Sequence, residues 1–223
     1  MDNRETIRPF KFMECSLLPL STGIRVQTLR ELRAALPSVP LSSIYYHFWG
    51  KMLRPHIAES EYINDFASWV DGSLGDTELA EALSAINPVT TDLGEIRSLL
   101  EDILDGRLEE DGFMSWKKSD REFYFIACKK LMFDTGRETD SLRNFPLAVK
   151  TASRESFFHH FLDARRRSSE GKDDFSLWLE QFGSETEAVR RRLEKVDSYL
   201  FSLGELRNQI VSILEKGLLK EGK

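Results

Sequence analysis

FKFMEC, residues Phe10 to Cys15, returns later in the chain as FYFIAC, Phe123 to Cys128, at an offset of 123 − 10 = 113. The same offset carries Thr22-Gly23 onto Thr135-Gly136, Leu29-Arg30 onto Leu142-Arg143, and Ser43 and His47 of SSIYYHFW onto Ser156 and His160 of ESFFHHFL. After a four-residue deletion, NDFASWV (Asn64 to Val70) falls on DDFSLWL (Asp173 to Leu179) at 174 − 65 = 109. One residue is regained, and TDLGEIRSLLEDILDGRL (from Thr91) falls on FSLGELRNQIVSILEKGL (from Phe201) at 203 − 93 = 110. Order, spacing and residue type agree along nearly the whole chain, which isolated motif matches do not do; the pattern reads as an internal duplication. The copies are residues 1–113 and 114–223, two tandem repeats that can also pack as a single globule.

Each copy reads as a strand followed by about five helices. Phe-x-Phe-x-x-Cys alternates as a short strand does, and Thr-Gly afterwards supplies a turn. Val26, Leu29, Leu32 and Leu36 make one apolar helical face, closed by Pro37 and Pro40. Ser43 is placed to cap IYYHFWGKML, which is apolar on nearly all sides and therefore central. Asn64-Asp65 and Asp173-Asp174 precede helices whose Phe66, Trp69, Val70 and Phe175, Trp178, Leu179 each share a face. Thr77 opens a short helix with Leu79, Leu83 and Ile86 together, and Asp92…Glu95 and Ser202…Glu205 give the last helix of each copy a capping box. A solitary short strand leaves its backbone groups unpaired. The expected fold is therefore mainly α (α+β with a minor short-strand pair), FKFMEC lying beside FYFIAC and the two repeats related by a pseudo-two-fold axis.

The 223 residues allow one large domain or two modest ones. An apolar share of 41% with 15 Phe and 4 Trp supports a real core, and 30% charged residues describe its solvated surface. The opening MDNRETIRPFKF is charged and has no apolar h-region, and no apolar run reaches the roughly 18–20 residues that cross a bilayer. A soluble cytoplasmic protein without membrane contact is expected. Two cysteines, neither in a CxxC pair, make no disulfide framework and no metal knuckle. The net charge of −6 is uneven: residues 1–110 hold 10 Lys+Arg against 18 Asp+Glu (−8), and residues 111–223 hold 21 against 19 (+2). Arg165-Arg166-Arg167 and Arg190-Arg191-Arg192 read as solvated helix faces, and in an acidic chain without a Gly-rich loop nucleic acid is not the expected partner.

The repeat also weighs the candidate chemistry. His47 and His160 occupy equivalent places, whereas His159 stands where the first copy has Tyr46. A catalytic group is rarely needed twice, so the expected role of His47 and His160 is to bond the carboxylate or free N–H groups of the next helix, at Asp65 and Asp174. Trp69 and Trp178 repeat at helical spacing and read as core. Cys15 and Cys128 read as small buried hydrophobes, and Arg97 and Arg207 as partners of a carboxylate such as Asp65 or Asp174. HExxH is absent and the one remaining histidine is His56, so no metal site is expected. No P-loop, nucleophile elbow or dinucleotide fingerprint is present, so no cofactor is expected and catalysis has no positive sign. A distinctive function has room in WGKMLRPHIAESEYIN, longer than its counterpart and holding Trp49, Arg54, His56, Glu61 and Tyr62.

Taken in order, F-x-F-x-x-C, T-G, L-R-E-L, S-I-Y-Y-H-F, N-D-F-A-S-W, T-E-L-A-E-A-L and D-L-G-E-I-R resemble a prokaryotic family known as a domain of unknown function, DUF5752. The resemblance runs through most of the first copy and, more loosely, the second. There the Y-Y pair is lost, Leu162 replaces Trp49, and T-E-A-V-R-R-R-L replaces the L-A-E segment. The resemblance implies no activity, cofactor or catalytic residue. The expected function is a non-catalytic binding or assembly module that takes protein partners or self-associates. The alternative is an enzyme or small-ligand binder whose pocket, in the first copy, gathers His47, Arg54, His56, Asp65 and Trp69.

Overall fold

The structure, a computed structural model, describes residues 7–53, 62–110, 112, 116–199 and 201–219. It is mainly helical, with one two-stranded antiparallel sheet among the described residues. The chain forms two compact units: the first is Leu17–Leu131, and the second combines Met1–Ser16 with Met132–Lys223. Units and sequence copies do not coincide. Each unit joins the helices of one copy to the Phe-x-Phe-x-x-Cys segment of the other.

Strands β1 (Phe10–Val26) and β2 (Phe123–Thr139) each run 17 residues, so the expected short strands are corrected to long ones. The reason is Thr-Gly. Gly23 and Gly136 sit inside the strands at φ of 75° and 68°, the left-handed region, where a glycine bulge bends a strand without ending it. Thr22 and Thr135 hold the bend, their Oγ1 accepting from Ile24 N (3.1 Å) and Arg137 N (3.2 Å). The expected pairing of FKFMEC with FYFIAC is also corrected. Thr135 Oγ1 donates to Phe12 O and Thr22 Oγ1 to Phe125 O, each at 2.6 Å, so each apolar half-strand lies beside the Thr-Gly half of the other strand. Both strands carry the motif first, and an antiparallel ladder sets the start of one against the end of the other.

In the first unit, α1 (Leu29–Ala35) starts at a capping box, Thr28 with Glu31. Helix α2 (Leu41–Leu53) begins directly after Pro40, ahead of Ser43, which is buried inside it and caps nothing. Asn64 caps α3 (Asp65–Trp69) by accepting from Ala67 N at 2.8 Å, and a π-helical turn, Val70–Leu74, follows. Asp76 caps α4 (Thr77–Ser84), and α5 (Leu93–Glu110) lies against α1, α2 and α4. Asp92 folds onto Gly94 N at 2.7 Å and forms no capping box. Leu29, Leu32, Ile44, Phe48, Phe66 and Ile96 are fully buried at the centre.

The second unit holds α6 (Phe145–Lys150) and α7 (Arg154–Phe157), a π-helical segment Phe158–Asp163, and α8 (Ala164–Arg167). Helix α9 (Asp174–Leu179) is capped by Asp173 and leads through a 3₁₀ stretch, Glu180–Thr186, into α10 (Glu187–Glu194). Helix α11 (Leu203–Leu218) starts at the expected capping box, Ser202 with Glu205. Its Leu206, Ile210 and Leu214 join Phe157, Phe161 and Phe175 in the core.

Candidate functional site

Helix α2 is apolar almost all round, so His47 on it is only 3% exposed, and both ring nitrogens are occupied. Nδ1 lies 2.9 Å from Asp65 Oδ2, and Nε2 accepts the N–H of Ile126 in β2 at 3.0 Å. A donor facing Nε2 assigns the proton to Nδ1, which donates to the carboxylate. Trp69, four residues beyond Asp65 on α3, donates Nε1–H to Arg121 O at 2.7 Å. Between them sits Phe123, its ring 4.7 Å from His47, 5.1 Å from Phe66 and 5.6 Å from Trp69. His47, Asp65 and Trp69 are thus brought together, around a strand. Arg54, His56 and Glu61 lie outside the described residues; Trp49 and Tyr62 are buried.

The second unit repeats the arrangement. His160 Nδ1 lies 2.8 Å from Asp174 Oδ2, and His160 Nε2 accepts from Met13 N at 2.8 Å. Trp178 Nε1 donates to Arg8 O at 2.7 Å. Phe10 fills the aromatic cage, 4.8 Å from His160, 5.4 Å from Phe145, 5.5 Å from Phe175 and 6.0 Å from Trp178. Burial pushes the His160 imidazole below its ordinary value, against the upward pull of Asp174, so the ring is held neutral as an acceptor.

His159, His160 and Asp174 each offer a ligand atom within 4.8 Å of the others, the one such group among the described residues. The donor set does not suit a cation. Nδ1 of His160 would have to give up its proton, yet Nε2 cannot take one while it faces the Met13 N–H, and neutral imidazole is the ligand form. His159 Nδ1 has no hydrogen-bond partner and stands 3.7 Å from Asp163 Oδ2. In the first unit, Lys51 meets Ser68 Oγ, the carbonyls of Tyr62 and Asn64 at 3.5 Å, and Asp65 Oδ1 at 3.6 Å.

Other expectations need correction. Arg97 Nη2 donates to Val39 O at 2.6 Å, and the Arg207 guanidinium lies 5.4 Å over the Phe157 ring, with neither on Asp65 or Asp174, whose carboxylates face the preceding helix. The arginine triplets are not simply solvated. Arg165 is buried on Leu193 O (2.6 Å), Val196 O (3.0 Å) and Asp173 (3.6 Å). Arg166 and Arg167 share the buried Asp163 at 3.2 and 3.0 Å, and Arg190 reaches Gly183 O at 3.1 Å. Cys15 Sγ and Cys128 Sγ point at carbonyls of Glu155 (3.7 Å) and Ser42 (3.5 Å), and burial pushes the Cys128 thiol up to about 11, the wrong direction for a nucleophile. Thr22 and Thr135, which read the strand carbonyls, were missed as site residues, although their repetition at the common offset was the signal.

No helix among the described residues is long and apolar enough to cross a membrane. No curated protein is similar to the chain. The solved structure of OrfY from Thermoproteus tenax is similar to it, with 28% identity over 94% of this chain and 95% of that one and a TM-score of 0.77. A family of unknown function, DUF5752, matches residues 7–215. That span is nearly the whole chain, and the chain belongs to this family.

Proposed function

We propose that the chain is a non-catalytic binding or assembly module, built by copying and fusing one repeat, residues 1–113 and 114–223. One observation carries this reading. The histidine at the same place in both copies accepts a strand N–H, Ile126 or Met13, and bonds an aspartate through its other nitrogen. A general base or metal ligand keeps a nitrogen for its substrate or ion; His47 and His160 keep none. The alternative pocket around His47 loses its central residue for the same reason. Contact with other proteins is supported by what the strands present. Strand β1 exposes Leu18 and Leu20 in the first unit, and β2 exposes Met132 and Phe133 in the second. Neither Cys15 nor Cys128 is in a disulfide, which suits the cytoplasmic location expected from the sequence.

The test is a thermal-shift screen of metabolites against wild type and His47→Ala. Orphaning the Ile126 N–H costs about 1–3 kcal/mol. At roughly 2–4 °C per kcal/mol for a chain of this size, the variant should melt roughly 2–12 °C lower while no metabolite moves the wild type. A metabolite that raises the wild-type Tm, with His47→Ala equally stable but unresponsive, would overturn the reading.

A further inference from the structure

The second unit is completed by a segment that reaches it only by way of the first unit. Residues Ile7 to Ser16 are joined to Met132 through the whole of Leu17–Leu131. The unit recognises that segment as a receptor recognises a peptide. Gln181 Oε1 accepts from Arg8 N at 2.9 Å, Trp178 donates to Arg8 O, His160 accepts from Met13 N, and Thr135 donates to Phe12 O. Phe10 and Phe12 are buried, Phe10 in its aromatic cage, so the contact combines backbone reading with side-chain anchors, the two components of strand addition. None of these contacts depends on the segment being covalently part of the same molecule.

We infer that the second unit is a strand receptor whose alternative occupant is the Arg8–Ser16 segment of a second copy of this chain, giving a strand-exchanged dimer. An exchanged copy restores every contact above, because the element is identical; only the backbone joining Ser16 to Leu17 need change course. Three residues further on stands Pro19, which has no N–H to give to a ladder. In the closed monomer the tethered segment has the advantage of high effective concentration, and crowding of unfolded chains removes it. The inference rests on the assembly reading above and names its partner.

The experiment refolds the full chain from denaturant at low and high protein concentration and measures mass by light scattering after size exclusion. Dimer should form at high concentration, its fraction rising with concentration, and persist on dilution. Refolding is repeated with an excess of a synthetic peptide of Arg8 to Ser16, and with the same peptide N-methylated at Met13, which removes the N–H that His160 accepts. The unmodified peptide should be captured and suppress the dimer; the methylated one should do neither. Monomer at every concentration with no peptide captured overturns the exchange, as does a dimer that the unmodified peptide leaves intact. Either result leaves the metabolite screen, and the reading it tests, unaffected.

Discussion

The buried pair Arg165–Asp173 gives the sharpest quantitative test of how the second unit is held. Asp173 caps α9, its Oδ1 accepting from Ser176 N at 2.8 Å and Oδ2 from Ser176 Oγ at 3.0 Å, and it is 1% exposed. The first unit uses Asn64 in this role, and its amide donates Nδ2–H to Leu83 O at 3.1 Å. A carboxylate cannot donate. At the matching position (193 − 83 = 110) the carbonyl of Leu193 is instead met by Arg165, which also bonds Val196 O and lies 3.6 Å from Asp173. Burial pushes Asp173 up and Arg165 down, each toward its neutral form, so the pair stands by mutual compensation against desolvation. Arg165→Met keeps the stem's volume but strands a buried carboxylate and two carbonyls, and should cost about 3–5 kcal/mol at neutral pH. Asp173→Asn keeps the cap and leaves a cation on its two carbonyls, for a loss of about 1–3 kcal/mol. The double variant imports the first unit's arrangement, an amide reaching Leu193 O with no buried charge. It should lie within about 2 kcal/mol of wild type, a coupling of at least about 2 kcal/mol by double-mutant cycle. Urea titration followed by tryptophan fluorescence measures all four proteins. Additive losses would refute the compensation.

Three further outcomes are expected. Gly217→Ala places a Cβ 2.2 Å from Val189 Cγ2 in a buried contact and should cost about 1–3 kcal/mol by chemical denaturation, whereas Gly106→Ala, with nothing within 4 Å, should be neutral or stabilising. Gly136→Ala meets no atom within 4 Å but must hold a φ of 68°, so it should lose about 1–2 kcal/mol, and a loss no larger than at Gly106 would refute the bulge. His160 is held below its ordinary value of 6.5, so the unfolded chain binds the proton first on acidification; its contribution is complete above 6.5 and declines as pH falls from there toward the folded value. The fall in stability below that pH should be shallower in His160→Gln, and an unchanged slope would remove the assignment.

The repeated side chains were legible because each lies on a short local pattern. Phe66, Trp69 and Val70 share a helix face, Asn64 and Asp173 precede helices that need a cap, and His47 stands one helix before Asp65; the contacts seen are those the spacing suggests. The length of β1 and β2 was not legible, because glycine with positive φ serves a turn and a bulge equally, and only the pairing partner tells them apart. Which helices receive which strand was hidden for a related reason. The similarity of the two segments is read along the chain, but backbone pairing is a contact at long range, and that similarity does not say which strand meets which helices. Arg165 was misread because three consecutive arginines suggest a solvated face. Consecutive residues on a helix point about 100° apart, so one of three can face inward, and the π-helical segment Phe158–Asp163 adds a residue just before them and resets which one does.

The differences between the two similar segments at the buried caps are paired: a carboxylate cap comes with an arginine beside it. In the first unit the cap of α3 is neutral Asn64, while the cap of α4 is Asp76, 5% exposed, which receives Arg107 Nε at 2.7 Å. In the second unit the choices reverse. The cap of α9 is Asp173 with Arg165 beside it, and the position matching Asp76 is Thr186, whose hydroxyl donates to Leu179 O at 2.6 Å. Among the described residues, each of these two buried carboxylate caps has a guanidinium beside it, Arg107 at Asp76 and Arg165 at Asp173. The position matching Arg107 is Gly217 (217 − 107 = 110), and Val189 fills the space so closely that even a methyl group is excluded. A buried charge left alone costs several kcal/mol, a large part of the stability of any domain, so neither member of a pair can change far ahead of the other. Three pairs are alike in the two segments: His47 and His160, Trp69 and Trp178, Thr22 and Thr135. Each of them bonds a backbone N–H or C=O group, which no substitution can alter to match.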